Sequence, residues 1–418
     1  MNNLDQRYSS KQFSSKIKFV DEKRNPLKGI TVNLNQKSSS FLFGCGAFET
    51  VYLCEDTKRL ESLTPEERKR YDFYTERINI WTRLFNYGTL PFYWGGYEPT
   101  EGNPQSEGRK LAAEFLKEHG AIAKGHPLCW HTACADWLME YDDKTIMDKQ
   151  LKRIERDVSE FKGIVDIWDV INETVIMPVY DRYDNAITRI CKRYGRTTLI
   201  KEVFEAAHAA NPDALLLIND FNLSDEYKKV IDEALNAGAP IGAIGLQTHQ
   251  HQGYKGLDWL NNVLDRFSVF NLPIHFTENT LVSGKIMPPE IVDLNDYQVS
   301  EWPSTPEGEA RQAREWEEMY RRLFEHPLVG ALTGWDFADG AWLNAPSGLI
   351  RKDNTVKPSY EAIYRLSHEE WHTNADFVTD ENGCIDAKGY KGEYEITFGG
   401  KIKSMDLSNP ESELCIIL

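Results

Sequence analysis

"DKQLKRIERDVSEFKGIVDIWDVINE", Asp148 to Glu173, decides how this chain folds. Its first part sets Leu151, Ile154, Val158 and Phe161 at helical spacing. Its second part is an apolar run through Ile164, Val165, Ile167, Val170 and Ile171, which reads as a buried strand. That strand stops on Asn172 and Glu173, an amide beside an acid. The same alternation continues downstream. "TTLIKEVFEAAHAANP", "SDEYKKVIDEALNAG", "LDWLNNVLDRFSVFN" and "EARQAREWEEMYRRLFEH" read as helices. Between them "ALLLINDFN", "IGAIGLQTH", "PIHFTEN" and "VGALTGWDFAD" read as strands. Upstream, "FLFGCGAF", "RLFNYGTL" and "AIAKGHPLCWH" bring the strand count to eight. Strands that alternate with helices and lack hairpins must be parallel with crossover helices. Eight of them make a (β/α)8 barrel, and no G-x-G-x-x-G fingerprint supports a doubly wound dinucleotide fold instead.

The flanks differ. "SKIKFVDEKRNPLKGITVNLNQKSSSFLFG" and "ADFVTDENGCIDAKGYKGEYEITFGGKIKSMDL" alternate like short strands between turn signals. Neither holds enough apolar mass to fold alone. Residues 1–40 and 369–418 are therefore expected to pair with each other, or to pack on the barrel, as a small β-domain beside a barrel of residues 41–368. The seven cysteines form no C-x-x-C pair and are expected to be mostly reduced, buried and apolar in behaviour. A net charge of −17 argues against nucleic acid or an anionic membrane as partner. The 11 Trp and 19 Tyr suit a neutral ligand with flat, partly apolar faces. "MNNLDQRYSSKQFSS" has no apolar h-region, so the expected location is cytoplasmic, or secreted or periplasmic if a leader has been removed. Oligomeric state is not legible.

Chemistry in such a barrel sits at the C-terminal strand ends. Read in order, these are Asn86; Trp130 and His131; Asn172 and Glu173; Asn219 and Asp220; Gln247 and His249; Glu278; and Trp335, Asp336 and Asp339. A single strand-end glutamate is ordinarily a solvated or salt-bridged residue. Two, on the fourth and seventh strands, can approach the roughly 5–5.5 Å that double-displacement glycoside hydrolysis needs. Their mutual repulsion separates the two pKa values, leaving one acid and one nucleophile. Amides suit sugar hydroxyls, and Trp130, Trp335 and Trp342 offer faces for the C–H side of a pyranose.

"GHPLCWH", "WDVINE", "LLLINDFN", "IGLQTH", "IHFTEN" and "VKPSYEAI" occur in that order. With them the chain resembles glycoside hydrolase family 10, the β-1,4-xylanases, over roughly residues 41 to 366. The resemblance implies a retaining hydrolase of xylan or xylo-oligosaccharides, with Glu173 as acid/base, Glu278 as nucleophile and no cofactor or metal. It also implies that Asn172 holds the sugar 2-hydroxyl and that His131 lines the subsite before the cleavage point. Gln247 and His249 would contact the nucleophile, and Trp335 and Trp342 would form an aromatic wall. The flanking β-domain would be the accessory β-sandwich that some bacterial members carry beside the catalytic barrel.

Two departures bear on substrate. Family members carry Glu-Asn and a nearby Lys after the second strand, gripping the sugar one unit from the bond cut. Here Pro91, Phe92, Tyr93 and Trp94 stand there. The plain reading is a loop packed on the barrel. The alternative is a changed glycone subsite in which Tyr93 and Trp94 stack on sugar or on an aromatic aglycone. Second, the Asp that supports the histidine in the family is Thr280. The long loop "VSGKIMPPEIVDLNDYQVSEWPSTPEGE" after the nucleophile is placed to narrow the cleft. Competing classes are a metal-dependent hydrolase using the "HQH" of His249–His251, an inactive sugar-binding barrel, a β-glycosidase of small or aryl glycosides, and a transglycosylase using the same carboxylates.

Overall fold

Each apolar run between the helices becomes one stave of a closed barrel. The structure is a computed structural model that describes residues 4–417. The first three residues of the expected amino-terminal β segment, and Leu418 of the carboxy-terminal one, lie outside them. Two flanking strands come first, β1 (Gln12–Val20) and β2 (Thr31–Ser39). The barrel staves follow: β3 (Leu42–Gly46), β4 (Tyr87–Pro91), β5 (Ile122–His126), β6 (Ile167–Asn172), β7 (Leu215–Asp220), β8 (Ala243–Gln250), β9 (Ile274–Leu281) and β10 (Val329–Gly334). All are parallel, and β10 closes onto β3. This is the expected (β/α)8 architecture.

The helix that precedes β6 shows how packing seats the mouth. It runs Asp143–Glu160, starting earlier than its apolar spacing suggests because Asp142 caps it by accepting from the Thr145 amide at 2.7 Å. Its inner face carries Ile154 and Val158 but also Arg153 and Asp157, an ion pair at 3.2 Å with both side chains buried. The Arg153 guanidinium donates to the carbonyls of Leu128 (2.6 Å), Pro127 (3.4 Å) and Phe92. A buried charge persists only when paired and hydrogen-bonded. Here the pairing ties down the loops after β4 and β5.

The flanks build the sandwich from strands β11 (Asn374–Val378), β12 (Cys384–Tyr390), β13 (Gly392–Phe398), β14 (Lys401–Asp406) and β15 (Glu413–Ile417). One sheet has the order β12-β1-β15, the other β11-β2-β13-β14. Alternation puts Val32 and Leu34 of β2 and Tyr394, Ile396 and Phe398 of β13 inward, where they meet Phe13, Ile17 and Phe19 of β1. This core is separate from that of the barrel. Trp371, stacked on Phe324 at 4.0 Å, and Tyr8, 5.3 Å from both rings, join the two bodies.

Two expectations need correction. Only Cys45, Cys129 and Cys191 are buried, although all seven cysteines are free. Asn86 is not at a strand's outgoing end: it precedes β4, and its amide donates to the carbonyls of Ser39 and Phe41. The run "RLFNYGTL" forms its strand in the second half, so its outgoing end is Pro91. Among the described residues no helix is long and apolar enough to cross a membrane.

Candidate active site

Glu173 and Glu278 enter the mouth from β6 and β9, each in a different electrostatic setting. Glu278 is 4% exposed. Its Oε1 accepts from Asn219 Nδ2 at 2.8 Å and lies 3.9 Å from His126 Nδ1, while its Oε2 is 3.2 Å from His249 Nε2. Burial raises its pKa, but His126, His249 and Lys124 more than offset that and hold it below the ordinary carboxylate range. Glu173 accepts from the Trp130 indole at 2.9 Å, and the Gln247 side chain also faces its carboxyl. Burial pushes its pKa up to about 8; the indole works against the rise, and the charges of Glu278 and Asp220 add to it. The two settings pull the carboxyls apart, favouring the charge on Glu278 and the proton on Glu173. The backbone at Glu173 is left-handed, φ 57°, a conformation that costs a glutamate about 1–3 kcal/mol. Its amide is held by the Asn219 carbonyl at 2.8 Å.

Hydrogen-bond polarity propagates outward from Glu278. An ionised carboxylate only accepts, so Asn219 must present Nδ2 to it. The same Nδ2 reaches Asn172 Oδ1 at 2.8 Å, and Thr277 donates to Asn219 Oδ1 at 2.6 Å. Asn172 Oδ1 also accepts from Gln247 Nε2 at 2.9 Å. With its oxygen doubly engaged, Asn172 keeps its Nδ2 for the cleft. On the other side, His249 Nε2 faces Glu278, its Nδ1 lies 3.4 Å from the Thr280 hydroxyl, and that hydroxyl lies 3.1 Å from His251 Nδ1. His251 stays neutral, its pKa pushed down to about 3 by burial and by His249. Two histidines bridged by a threonine replace the expected Asp arrangement. The spacing that suggested a metal serves this relay, and among the described residues no group of three or more His, Cys, Asp or Glu is placed to hold a metal ion.

Aromatic residues line the remainder. Trp335 lies 5.3 Å from His126 and 6.1 Å from His249; Trp342 lies 4.7 Å from His249. Tyr93 is 5.6 Å from His126 and 5.7 Å from Trp130, and Glu278 and Glu173 face its phenol. His131 sits beside Glu173, with Nε2 3.9 Å from Oε2, and burial lowers its pKa to about 4. Trp94 does not join them. It is 4% exposed, packs against Trp137 at 5.6 Å and under Arg153, and donates its indole N–H to Glu98. Asp336 and Asp339 also turn away, binding Ser347 and Lys357 to brace the loop that carries Trp342.

Residues not singled out from sequence complete the site. Lys124 Nζ and His126 Nδ1 both contact Asp169 Oδ2, at 2.6 and 2.7 Å, with all three side chains buried. This orients the His126 imidazole beneath Glu278. The signal was present in "AKGHPLCWH" and "WDVINE", but the strand was read through to His131, whereas β5 ends at His126, ahead of Pro127, which has no amide to donate. Phe48, after β3, was likewise passed over.

The sequence profile described as "Glycosyl hydrolase family 10" matches residues 76–366. Among curated proteins the chain is 23% identical over 392 residues to "Endo-1,4-beta-xylanase 2" of Arabidopsis thaliana, an alignment that covers 91% of this chain and 32% of that protein. It is 27% identical over 286 residues to "Endo-1,4-beta-xylanase A" of Xylanibacter ruminicola, covering 60% and 75%. The chain thus spans about a third of the length of the Arabidopsis relative. Among solved structures it shares its fold with native xylanase 10B from Thermotoga maritima, with a TM-score of 0.60 and 24% identity over 79% of this chain and 96% of that one.

Proposed function

The chain belongs to glycosyl hydrolase family 10, and on that premise we propose that it hydrolyses β-1,4-xylosidic bonds of xylan or xylo-oligosaccharides by double displacement. The carrying observation is the opposed setting of the two carboxyls: Glu278 is held among Asn219, His126 and His249, while Glu173 is half-buried against the Trp130 indole. Glu278 attacks the anomeric carbon while Glu173 gives its proton to the leaving oxygen. Bonding to the sugar removes the negative charge of Glu278, one of the charges that raise the Glu173 pKa. Glu173, now a carboxylate in a less repulsive site, then takes a proton from the water that releases the sugar. Asn172 offers Nδ2 to the 2-hydroxyl; Gln247 and Asn219 hold it there. His126, His249, Trp335 and Trp342 shape the sugar site, and Tyr93 joins them from the loop after β4.

A second reading, a β-glycosidase of small or aryl glycosides, is favoured by that same loop, which offers a tyrosine where polar grips were expected. The division into a catalytic barrel, residues 41–368, and an accessory sandwich, residues 1–40 and 369–418, is part of the proposal and is supported by the separate sandwich core. The test is stereochemical. Proton NMR during hydrolysis of xylo-oligosaccharides and of an aryl β-xyloside is expected to show the β-anomer of the product first. First appearance of the α-anomer, or no turnover of any xyloside, overturns the proposal.

A further inference from the structure

Half of the barrel mouth is walled by aromatic rings. Trp335 follows β10, Phe48 follows β3, Tyr93 follows β4 and Trp130 follows β5, and these four strands are consecutive around the barrel. Each ring touches the next: Trp335 and Phe48 at 5.3 Å, Phe48 and Tyr93 at 6.2 Å, Tyr93 and Trp130 at 5.7 Å between centroids. Aromatic pairs in contact have centroids about 4.5–7 Å apart. A pyranose does not pass between such rings.

The wall stands close to the reacting groups. Trp335, Tyr93 and Trp130 lie 5.3, 5.6 and 6.3 Å from the His126 ring, whose Nδ1 is 3.9 Å from Glu278. The neighbours of Tyr93 in this loop supply no polar grip: Phe92 is fully buried and Trp94 is turned into the core. Phe48 and Tyr93 are both partly exposed, the two rings that fill the stretch between the tryptophans.

We propose that Phe48 and Tyr93 end the glycone site after one sugar, so that the enzyme removes single units from the non-reducing ends of short β-glycosides instead of cutting within chains. This rests on the hydrolase reading above and specifies its substrate class. The side is assigned from the loop after β4, which in the family grips the sugar on the glycone side of the bond. A wall there excludes a second glycone unit.

The test uses the full chain with xylohexaose tagged at its reducing end, and with p-nitrophenyl β-xyloside and β-xylobioside. The first products are expected to be xylose and tagged xylopentaose. The kcat/KM for nitrophenol release is expected to be at least tenfold higher from the xyloside than from the xylobioside. Early xylobiose or xylotriose, single units leaving the tagged end, or equal nitrophenol release from both overturns the proposal while leaving the hydrolase reading intact. No cleavage of any of the three substrates overturns both. In the double variant Phe48→Ala/Tyr93→Ala, the preference for the xyloside is expected to fall at least tenfold. An unchanged preference in a variant that melts cooperatively overturns the role of these two rings. If the variant does not fold, the wild-type product ladder alone decides.

Discussion

Glu173 is a carboxyl whose surroundings favour its proton. Because its pKa is held near 8 by burial, kcat/KM for an aryl glycoside is expected to fall as pH rises through about 8. Trp130→Phe deletes the hydrogen bond that favours the charged form, so the alkaline limb is expected to move to higher pH; a downward move contradicts the assignment. Stability follows the same sign. The folded-state pKa lies above the ordinary 4.5, so the contribution of protonated Glu173 is complete below that range and is lost as pH rises toward 8. Glu173→Gln is therefore expected to melt above wild type, by a margin that widens between pH 5 and pH 9. Thr280→Val removes the hydroxyl that links His249 to His251, leaving the His249 ring free to turn from Glu278. A loss of roughly ten- to a hundredfold in kcat is expected with little change in KM, and Thr280→Ser is expected to restore most of it. The carboxylate pair and its amides were legible because polar residues ending an apolar run are conspicuous. His126 was not, because it lies within a run that looks continuous and acts through partners, Lys124 and Asp169, on two strands.

Among elements, the Asp143–Glu160 helix links core to mouth. Arg153→Met leaves Asp157 with Arg156 alone, the Phe92 carbonyl without its Arg153 donor and the Leu128 carbonyl with Gln150 only. Breaking such a pair is expected to cost about 3–5 kcal/mol in urea unfolding, together with a lower kcat because the loops carrying Tyr93 and Trp130 lose their seat. A change below about 1 kcal/mol contradicts this. The alternation of strand and helix was readable, since a buried strand and an amphipathic helix have different periods. The loop after β4 was not. "PFYW" is four apolar residues in a row and carries no period, so nothing in it separates Tyr93, which faces the carboxyls, from Phe92 and Trp94, which face the helices. The loop after β9 stands on its own small core of Val282, Met287, Trp302 and Ala345. Its link from Asp293 and Asp296 to Arg182 reaches from the loop after Glu278 to the loop after Glu173.

For the whole molecule, charge and chain path matter most. With a net charge of −17, a neutral oligosaccharide gains nothing from long-range steering, so its kcat/KM is expected to stay flat between low and high salt. An oligosaccharide bearing a carboxylate is expected to react faster as salt screens the repulsion. Salt dependence of the neutral substrate contradicts this view. The terminal strands pair across most of the chain, Ile17 with Ile385 and Leu34 with Ile396. Alternation in each flank announced strands with one buried face, but not which strand would lie beside which, since pairing depends on where the barrel brings the two ends. Trp371, stacked between the two bodies, is expected to cost about 3–5 kcal/mol on truncation to Ala.

The most direct measurement is azide rescue of Glu173→Ala and Glu278→Ala on an activated aryl β-xyloside. Glu173→Ala is expected to form the glycosyl-enzyme and yield a β-xylosyl azide, since azide needs no general base. Glu278→Ala is expected to yield the α-azide by a single inversion. Wild-type rates in either variant, or the α-azide from Glu173→Ala, would contradict the division of roles between the two carboxyls.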